Sequence, residues 1–205
     1  MKKIIIFTIL LSSIVSVSIA QLDLKPAIGI NSSRFDSNPT FDNDQDSLVA
    51  DGRAGYQIGA SIAIGRRVYV EPGIFYNKMN QSFTPTNIEK SAFTLNTSYI
   101  RIPVNLGWQL IGNNHSFAAL RIFLGPSMFI PLSVKENSYP LVKKDLNSPQ
   151  FDIAAGAGLN IWFLFLDVSY GWGLTPMFKD DPIEANMQSF YANLGFRYKL
   201  KKEEE

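Results

Sequence analysis

Along residues 151–175, FDIAAGAGLNIWFLFLDVSYGWGLT, apolar and non-apolar positions alternate with a period of two. One set is Phe151, Ile153, Ala155, Ala157, Leu159 and Ile161, resuming as Leu164, Leu166, Val168, Tyr170, Trp172 and Leu174. The other is Asp152, Ala154, Gly156, Gly158 and Asn160, resuming as Phe165, Asp167, Ser169, Gly171, Gly173 and Thr175. Successive side chains of an extended chain point to opposite faces, so the pattern predicts two strands. Almost nothing separates them, and Trp162-Phe163 marks the turn of a hairpin.

The alternation recurs along the chain. It predicts strands over 22–32, 54–64, 68–78, 98–110 and 117–130 before the hairpin, and over 190–200 after it. The short connections at Gly65-Arg66, Gly112-Asn113-Asn114 and Trp162-Phe163 alternate with long polar stretches over 33–53, 79–97, 131–150 and 176–189. Eight strands joined in this way describe an up-and-down antiparallel barrel.

What faces outward decides the kind of barrel. The apolar sets carry no charged residue in any strand. The opposite sets are mostly Gly, Ala, Ser and Asn, together with Asp23, Lys25, Glu71, Arg101, Arg121, Asp152, Asp167, Arg197 and Lys199. A water-soluble barrel would turn this second set outward and present a surface half glycine and alanine, with too few charges. A wall facing hydrocarbon needs the reverse, because Arg or Lys on the lipid face costs about 2–4 kcal/mol at the bilayer midplane. Closure also leaves no unpaired backbone edge in lipid. The fold class is therefore all-β, an eight-stranded antiparallel up-and-down transmembrane β-barrel over residues 21–200. Eight strands leave an interior just filled by side chains. Lys25, Glu71, Arg101, Arg121, Asp152, Asp167 and Arg197 are then expected to form a charge network in the lumen. Arg101, Arg121 and Arg197 are the candidate partners of Asp152 and Asp167.

Aromatic residues give an independent check on this arrangement. With the topology fixed, Tyr56, Tyr76, Trp172 and Phe190 fall at the long-loop ends of their strands. Trp108 and Tyr198 fall at the short-turn ends, with Phe163 in a turn. Two aromatic girdles mark the two membrane interfaces. Short turns face the periplasm in such barrels, so the four long loops are extracellular and both termini periplasmic. Pro26, Pro72, Pro103 and Pro126 lie inside strands and each removes a ladder donor, so bulges are expected there.

Targeting and composition agree with this reading. Met1-Lys2-Lys3 followed by an apolar run to Ala20, with Ser18-Ile19-Ala20 as the cleavage site, is a secretory signal peptide over residues 1–20. Its removal takes two of the 19 basic residues and leaves 17 against 18 acidic ones. That balance gives no reason to expect nucleic-acid binding. The absence of cysteine excludes a disulfide framework, a thiolate zinc site and lipid anchoring through cysteine. Residues 201–205, KKEEE, form a charged periplasmic tail.

Several motifs carry a family likeness. They are Val70-Glu71-Pro72-Gly73-Ile74-Phe75-Tyr76, Tyr99-Ile100-Arg101-Ile102-Pro103, Leu124-Gly125-Pro126, the glycine alternation of 151–159, and Tyr170-Gly171-Trp172-Gly173-Leu174. Over essentially the whole mature chain the sequence resembles the PorT-like outer-membrane β-barrel family. The resemblance implies a small outer-membrane barrel, and its founding member implies a role accessory to protein secretion. Two positions depart from the family pattern. Arg101 stands where an acidic residue is common, and the chain ends on KKEEE where an aromatic often serves the assembly machinery.

The expected function is that of an integral, non-enzymatic outer-membrane barrel of a Gram-negative bacterium, with a filled lumen and loops for structural or binding roles. No cofactor is expected. The expected partners are outer-membrane lipids, the barrel-assembly machinery and a secretion-system or extracellular protein met through the long loops, and the chain is expected to be monomeric. A narrow ion-conducting pore is the alternative. An outer-membrane hydrolase would need a base beside a nucleophile. His115, the sole histidine, falls in a short turn, and Asp180-Asp181 is an ordinary solvated loop pair. Asp42, Asp44 and Asp46 could offer calcium oxygen ligands, but they lack the glycine and terminal glutamate of a helix–loop–helix site.

Overall fold

The computed structural model describes residues 21–36, 48–85, 93–112, 116–135, 146–178 and 186–201. Its strands are β1 (Leu22–Phe35), β2 (Leu48–Gly65), β3 (Val68–Pro85), β4 (Phe93–Ile111), β5 (Ala118–Val134), β6 (Gln150–Ile161), β7 (Leu164–Pro176) and β8 (Asn186–Phe196). A short segment, β9 (Tyr198–Lys201), continues the last strand beyond Arg197. Every neighbour is antiparallel, and β1 pairs with β2 on one side and with β8 and β9 on the other. The sheet is therefore a closed eight-stranded up-and-down barrel, as the alternation predicts.

The wall is inside out relative to a water-soluble protein. Ile28, Ile58, Ile74, Leu106, Leu124, Leu166 and Leu194 on its outer face are between 46% and 61% exposed, whereas Lys25, Glu71 and Arg121 inside are at most 5% exposed. No helix among the described residues is long and apolar enough to cross a membrane. The strands do the crossing.

All eight strands run past their predicted ends toward the long loops, by three to seven residues in β1 to β5 and β8 and by one in β6 and β7. β2 to β5 have 17 to 19 residues, while β6 to β8 have 11 to 13. A tilted membrane strand needs only about 9–11 residues. The surplus continues the ladder into water, where both faces can be polar and the period of two fades. The barrel thus has a tall side and a short side.

The expected bulges at the four prolines are absent. On both sides of Pro72, Pro103 and Pro126 the register is the same, with a lapse in pairing at or opposite the ring. Pro26 likewise lies where pairing lapses between β9 and β8, without a shift. A missing N–H deletes a hydrogen bond but inserts no residue, so the strand stays in step. Register shifts lie elsewhere, between Arg53 and Tyr56, Ser98 and Tyr99, Gln109 and Ile111, and Trp172 and Pro176, with one at Leu22/Asp23. Short turns use left-handed backbone at Gly65 (φ 133°), Gly112 (φ 81°) and Trp162 (φ 53°).

Inward aromatics lie over glycines on neighbouring strands. Phe75 stands opposite Gly59, Tyr69 opposite Gly107, Phe123 opposite Gly156 and Phe165 opposite Gly195. In each case an added Cβ would strike the ring. The glycines of the alternating pattern are the floor on which the lumen-filling rings rest.

Candidate functional site in the lumen

The lumen is layered from its short-turn end to its long-loop end. At the short-turn mouth Arg197 Nε lies 4.0 Å from Asp23 Oδ2, and Gln21 Nε2 donates to Asp23 Oδ1 at 2.7 Å. A cavity of about 20 Å³ lined by Asp23, Arg66, Tyr69, Gln109 and Arg197 leads inward from there. Lys199 stands opposite Asp23 across the β1–β9 ladder and is itself exposed.

Above it lies a ring of four charges. Lys25 Nζ donates to Glu71 Oε1 and Oε2 at 2.8 and 2.9 Å and to Asp167 Oδ2 at 3.3 Å. Arg121 Nη1 donates to Glu71 Oε2 at 3.1 Å, and Arg121 Nη2 donates to Asp167 Oδ1. Ser61 Oγ and Tyr69 OH complete the shell, the first donating to Glu71 at 2.7 Å and the second accepting from Arg121 at 2.9 Å. Lys25 Nζ also sits 4.2 Å from the centre of the Phe165 ring. Two cations and two carboxylates alternate in sign, so each charge touches two of the opposite sign. Such pairing is what permits charge in a dry interior.

The four residues come from β1, β3, β5 and β7, and each is the fourth residue of its strand. Alternate strands run in the same direction, so equal distance from their starts places the four side chains at one height. The strand periodicity carries this signal once the strand starts are known. Charge type alone could not show which lumen residues meet.

Beyond the ring, Arg101, Asn105, Ser169 and Asn193 help to line a second cavity of about 30 Å³, room for roughly two water molecules. Arg101 packs its guanidinium 3.9 Å from the Tyr191 ring centre and donates to Ser127 Oγ at 3.2 Å. Among the described residues, Arg101 Nε, Asn105 Oδ1 and Asp152 Oδ1 are buried without a hydrogen-bond partner. Buried polar groups of this kind are usually satisfied by internal water.

At the long-loop end the lumen turns apolar. Met79, Leu95, Tyr99, Phe129, Leu146, Met177, Phe178, Met187 and Tyr191 form one buried cluster. Leu146 and Phe178 come from outside the regular strands and form a bridge with one another. Asn147 ties this cap down, donating from Nδ2 to Pro176 O at 2.8 Å and from its backbone N–H to Met177 O at 2.9 Å, while its carbonyl accepts from Gln150 Nε2 at 3.1 Å. Sequence reasoning assigned Met79, Leu95, Leu146, Met177, Phe178 and Met187 to polar loops. An isolated apolar residue without a period carries no signal that it turns inward.

The girdle residues all lie on the outer wall. Trp108 stands opposite Val68, Tyr198 opposite Leu24, and Tyr56 and Tyr76 pack 6.4 Å apart. Phe163 stacks on Phe196 at 5.9 Å, and Trp172 meets Tyr170 edge-on at 5.1 Å. Phe190 stands opposite Tyr170 and is 42% exposed. His115, Asp180-Asp181, the Asp42–Asp46 run and the signal segment lie outside the described residues. Among the described residues no group of three His, Cys, Asp or Glu could hold a metal ion.

A family profile described as "Outer membrane protein beta-barrel domain" matches residues 18–179. Comparison with curated protein sequences finds no match. Among solved structures, the outer membrane protein OprG from Pseudomonas aeruginosa is similar, with a TM-score of 0.55 at 10% identity, covering 89% of this chain and 97% of that one. Ail, the attachment invasion locus protein of Yersinia pestis, is more distant at a TM-score of 0.45 and 13% identity, covering 86% and 98%. At such identities the likeness is one of fold alone.

Proposed function

The chain belongs to the outer membrane protein beta-barrel family, and from that premise we propose that it is a sealed, non-enzymatic barrel of a Gram-negative outer membrane, acting through its extracellular side. The observation that carries this reading is the double closure of the lumen. The Lys25–Glu71–Arg121–Asp167 ring spans it on one level and the Met79–Phe178 cluster fills it on another. An ion entering from either side would have to break a fully paired charge ring or displace a dry apolar plug. Export through a signal peptide cleaved near Ala20 belongs to the same reading, as do a monomeric state and contact with the barrel-assembly machinery. Membership of the PorT-like branch and a role accessory to protein secretion rest on the motifs around Glu71, Arg101 and Trp172 alone.

Planar-bilayer recording of the purified chain tests the sealed lumen. The expected record is flat at physiological salt. Steady, discrete conductance steps would replace this reading with a narrow ion-conducting pore.

A further inference from the structure

On the outer wall of β1, β2 and β3, just beyond the lipid-facing band, three cations lie on adjoining strands. Lys78 is two residues past Tyr76 toward the long loops and stands opposite Tyr56, with its Nζ 5.9 Å from the Tyr56 ring centre. Arg53 is exposed and stands opposite Asn80, which faces outward between the buried Met79 and Gln81. Arg34 is exposed two residues past Ser32, and its Nη2 donates to Tyr170 OH at 3.2 Å. Ser98, opposite Lys78, adds a hydroxyl that is hydrogen-bonded with Tyr76 OH at 2.9 Å. Asp36 also lies on this rim, its Oδ1 accepting the Asn186 backbone N–H at 2.9 Å.

On the short side, exposed Phe151, Trp172 and Leu174 occupy the corresponding outward positions, and Arg34 reaches Tyr170 there. Arg53 and Lys78 stand where the wall is tallest. Strands rise about 3.3 Å per residue and tilt by about 40°, so the cations stand on the order of 5–10 Å beyond the last apolar residues. That is the depth at which the headgroup phosphates of the facing leaflet lie. Guanidinium groups bind phosphate through two parallel N–H donors and an ammonium binds it as a point charge.

We propose that this β1–β3 face is a binding site for the phosphorylated headgroup of an outer-leaflet glycolipid, held by Arg34, Arg53 and Lys78 with its acyl chains against Ile30, Ile58 and Ile74. The proposal rests on the outer-membrane orientation but not on the sealed lumen. A conducting wild-type chain would overturn the second without touching the first.

The test is native mass spectrometry of the folded, full-length mature chain in zwitterionic micelles with added diphosphoryl lipid A. The expected result is retention of this lipid and loss of the same lipid after both phosphates are removed. Arg34→Gln, Arg53→Gln and Lys78→Gln together should lower the retained fraction by about tenfold or more, on the scale of basic residues meeting an anionic lipid surface. The charge-keeping Arg53→Lys and Lys78→Arg exchange should retain most of it. All three positions tested are exposed or rim residues, and the heat-dependent gel mobility of folded barrels verifies that each variant is intact. Equal retention of the dephosphorylated lipid, unchanged binding by the triple variant, or equal displacement by phosphatidylglycerol would each overturn the proposal.

Discussion

Lys25 donates to both oxygens of Glu71 across the interior of the barrel, 46 residues apart in sequence. Both groups are buried, so neither can be removed alone without stranding the other. Glu71→Gln leaves Lys25 and Arg121 facing a single carboxylate, Asp167. The variant should lose about 3–5 kcal/mol of stability, the range seen when one partner of a buried ion pair is deleted. Lys25→Met combined with Glu71→Leu leaves the Arg121–Asp167 pair intact and should cost less than the two single changes summed. Urea unfolding of the micelle-bound barrel, followed by tryptophan emission, measures both.

Tyr69 lies across Gly107, and an added methyl group would meet the ring directly. Gly107→Ala should therefore destabilise the barrel by about 1–3 kcal/mol through overpacking. Adding Tyr69→Leu removes the colliding ring, so the double variant should be less impaired than Gly107→Ala with Tyr69→Leu counted separately. The same unfolding assay decides, and simple additivity would contradict the ring-over-glycine account.

Lipid contact predicts a depth dependence on the outer wall. Val104 lies mid-way along the apolar face of β4, whereas Leu132 lies near the long-loop end of β5. Val104→Arg should cost about 2–4 kcal/mol and Leu132→Arg about 0–1 kcal/mol, following the measured fall from midplane to interface. Equal costs at the two depths would argue against a bilayer around this wall.

The two lumen barriers are independent in space, which predicts a combinatorial result. Met177→Ala with Phe178→Ala thins the apolar cap but leaves the charge ring closed, and conductance should stay absent. Arg121→Ala with Asp167→Ala removes half of the ring as a neutral pair and leaves the cap, with the same outcome. Only the fourfold variant should give discrete conductance steps in planar bilayers. Steps from either double variant alone would show that one barrier never seals.

The strand number, the outward apolar set and the barrel class were legible in the sequence because a lipid-facing wall tolerates no charge and so enforces a clean period of two. Leu106, Trp108 and Leu110 show this on a single strand. Where the wall leaves the membrane that constraint lapses, so the strand extensions through Met79, Leu95 and Met187 were not legible. The prolines misled for a related reason. Pro103 looks like an interruption in one dimension, but in the sheet it deletes one donor and leaves Ile102 and Val104 in register. Which lumen charges meet depends on strand starts, and the common fourth position of Lys25, Glu71, Arg121 and Asp167 emerges only once those starts are fixed. The cap residues Leu146 and Phe178 had no local signal, since their burial comes from a bridge between distant segments.

The ring of charges has a further property as a sensor of assembly. Three of its contacts, Lys25–Glu71, Glu71–Arg121 and Arg121–Asp167, join residues two strands apart along the sheet, about 10 Å at the usual strand spacing. These can form in a sheet that has not yet closed. The fourth, Lys25–Asp167, joins the first strand to the seventh and exists only once β8 has met β1. Until then one cation and one carboxylate at the two ends of the open sheet each lack a neighbour. The last hydrogen-bonded seam and the last ion pair are thus completed by the same event, and a half-assembled barrel remains electrostatically unfinished.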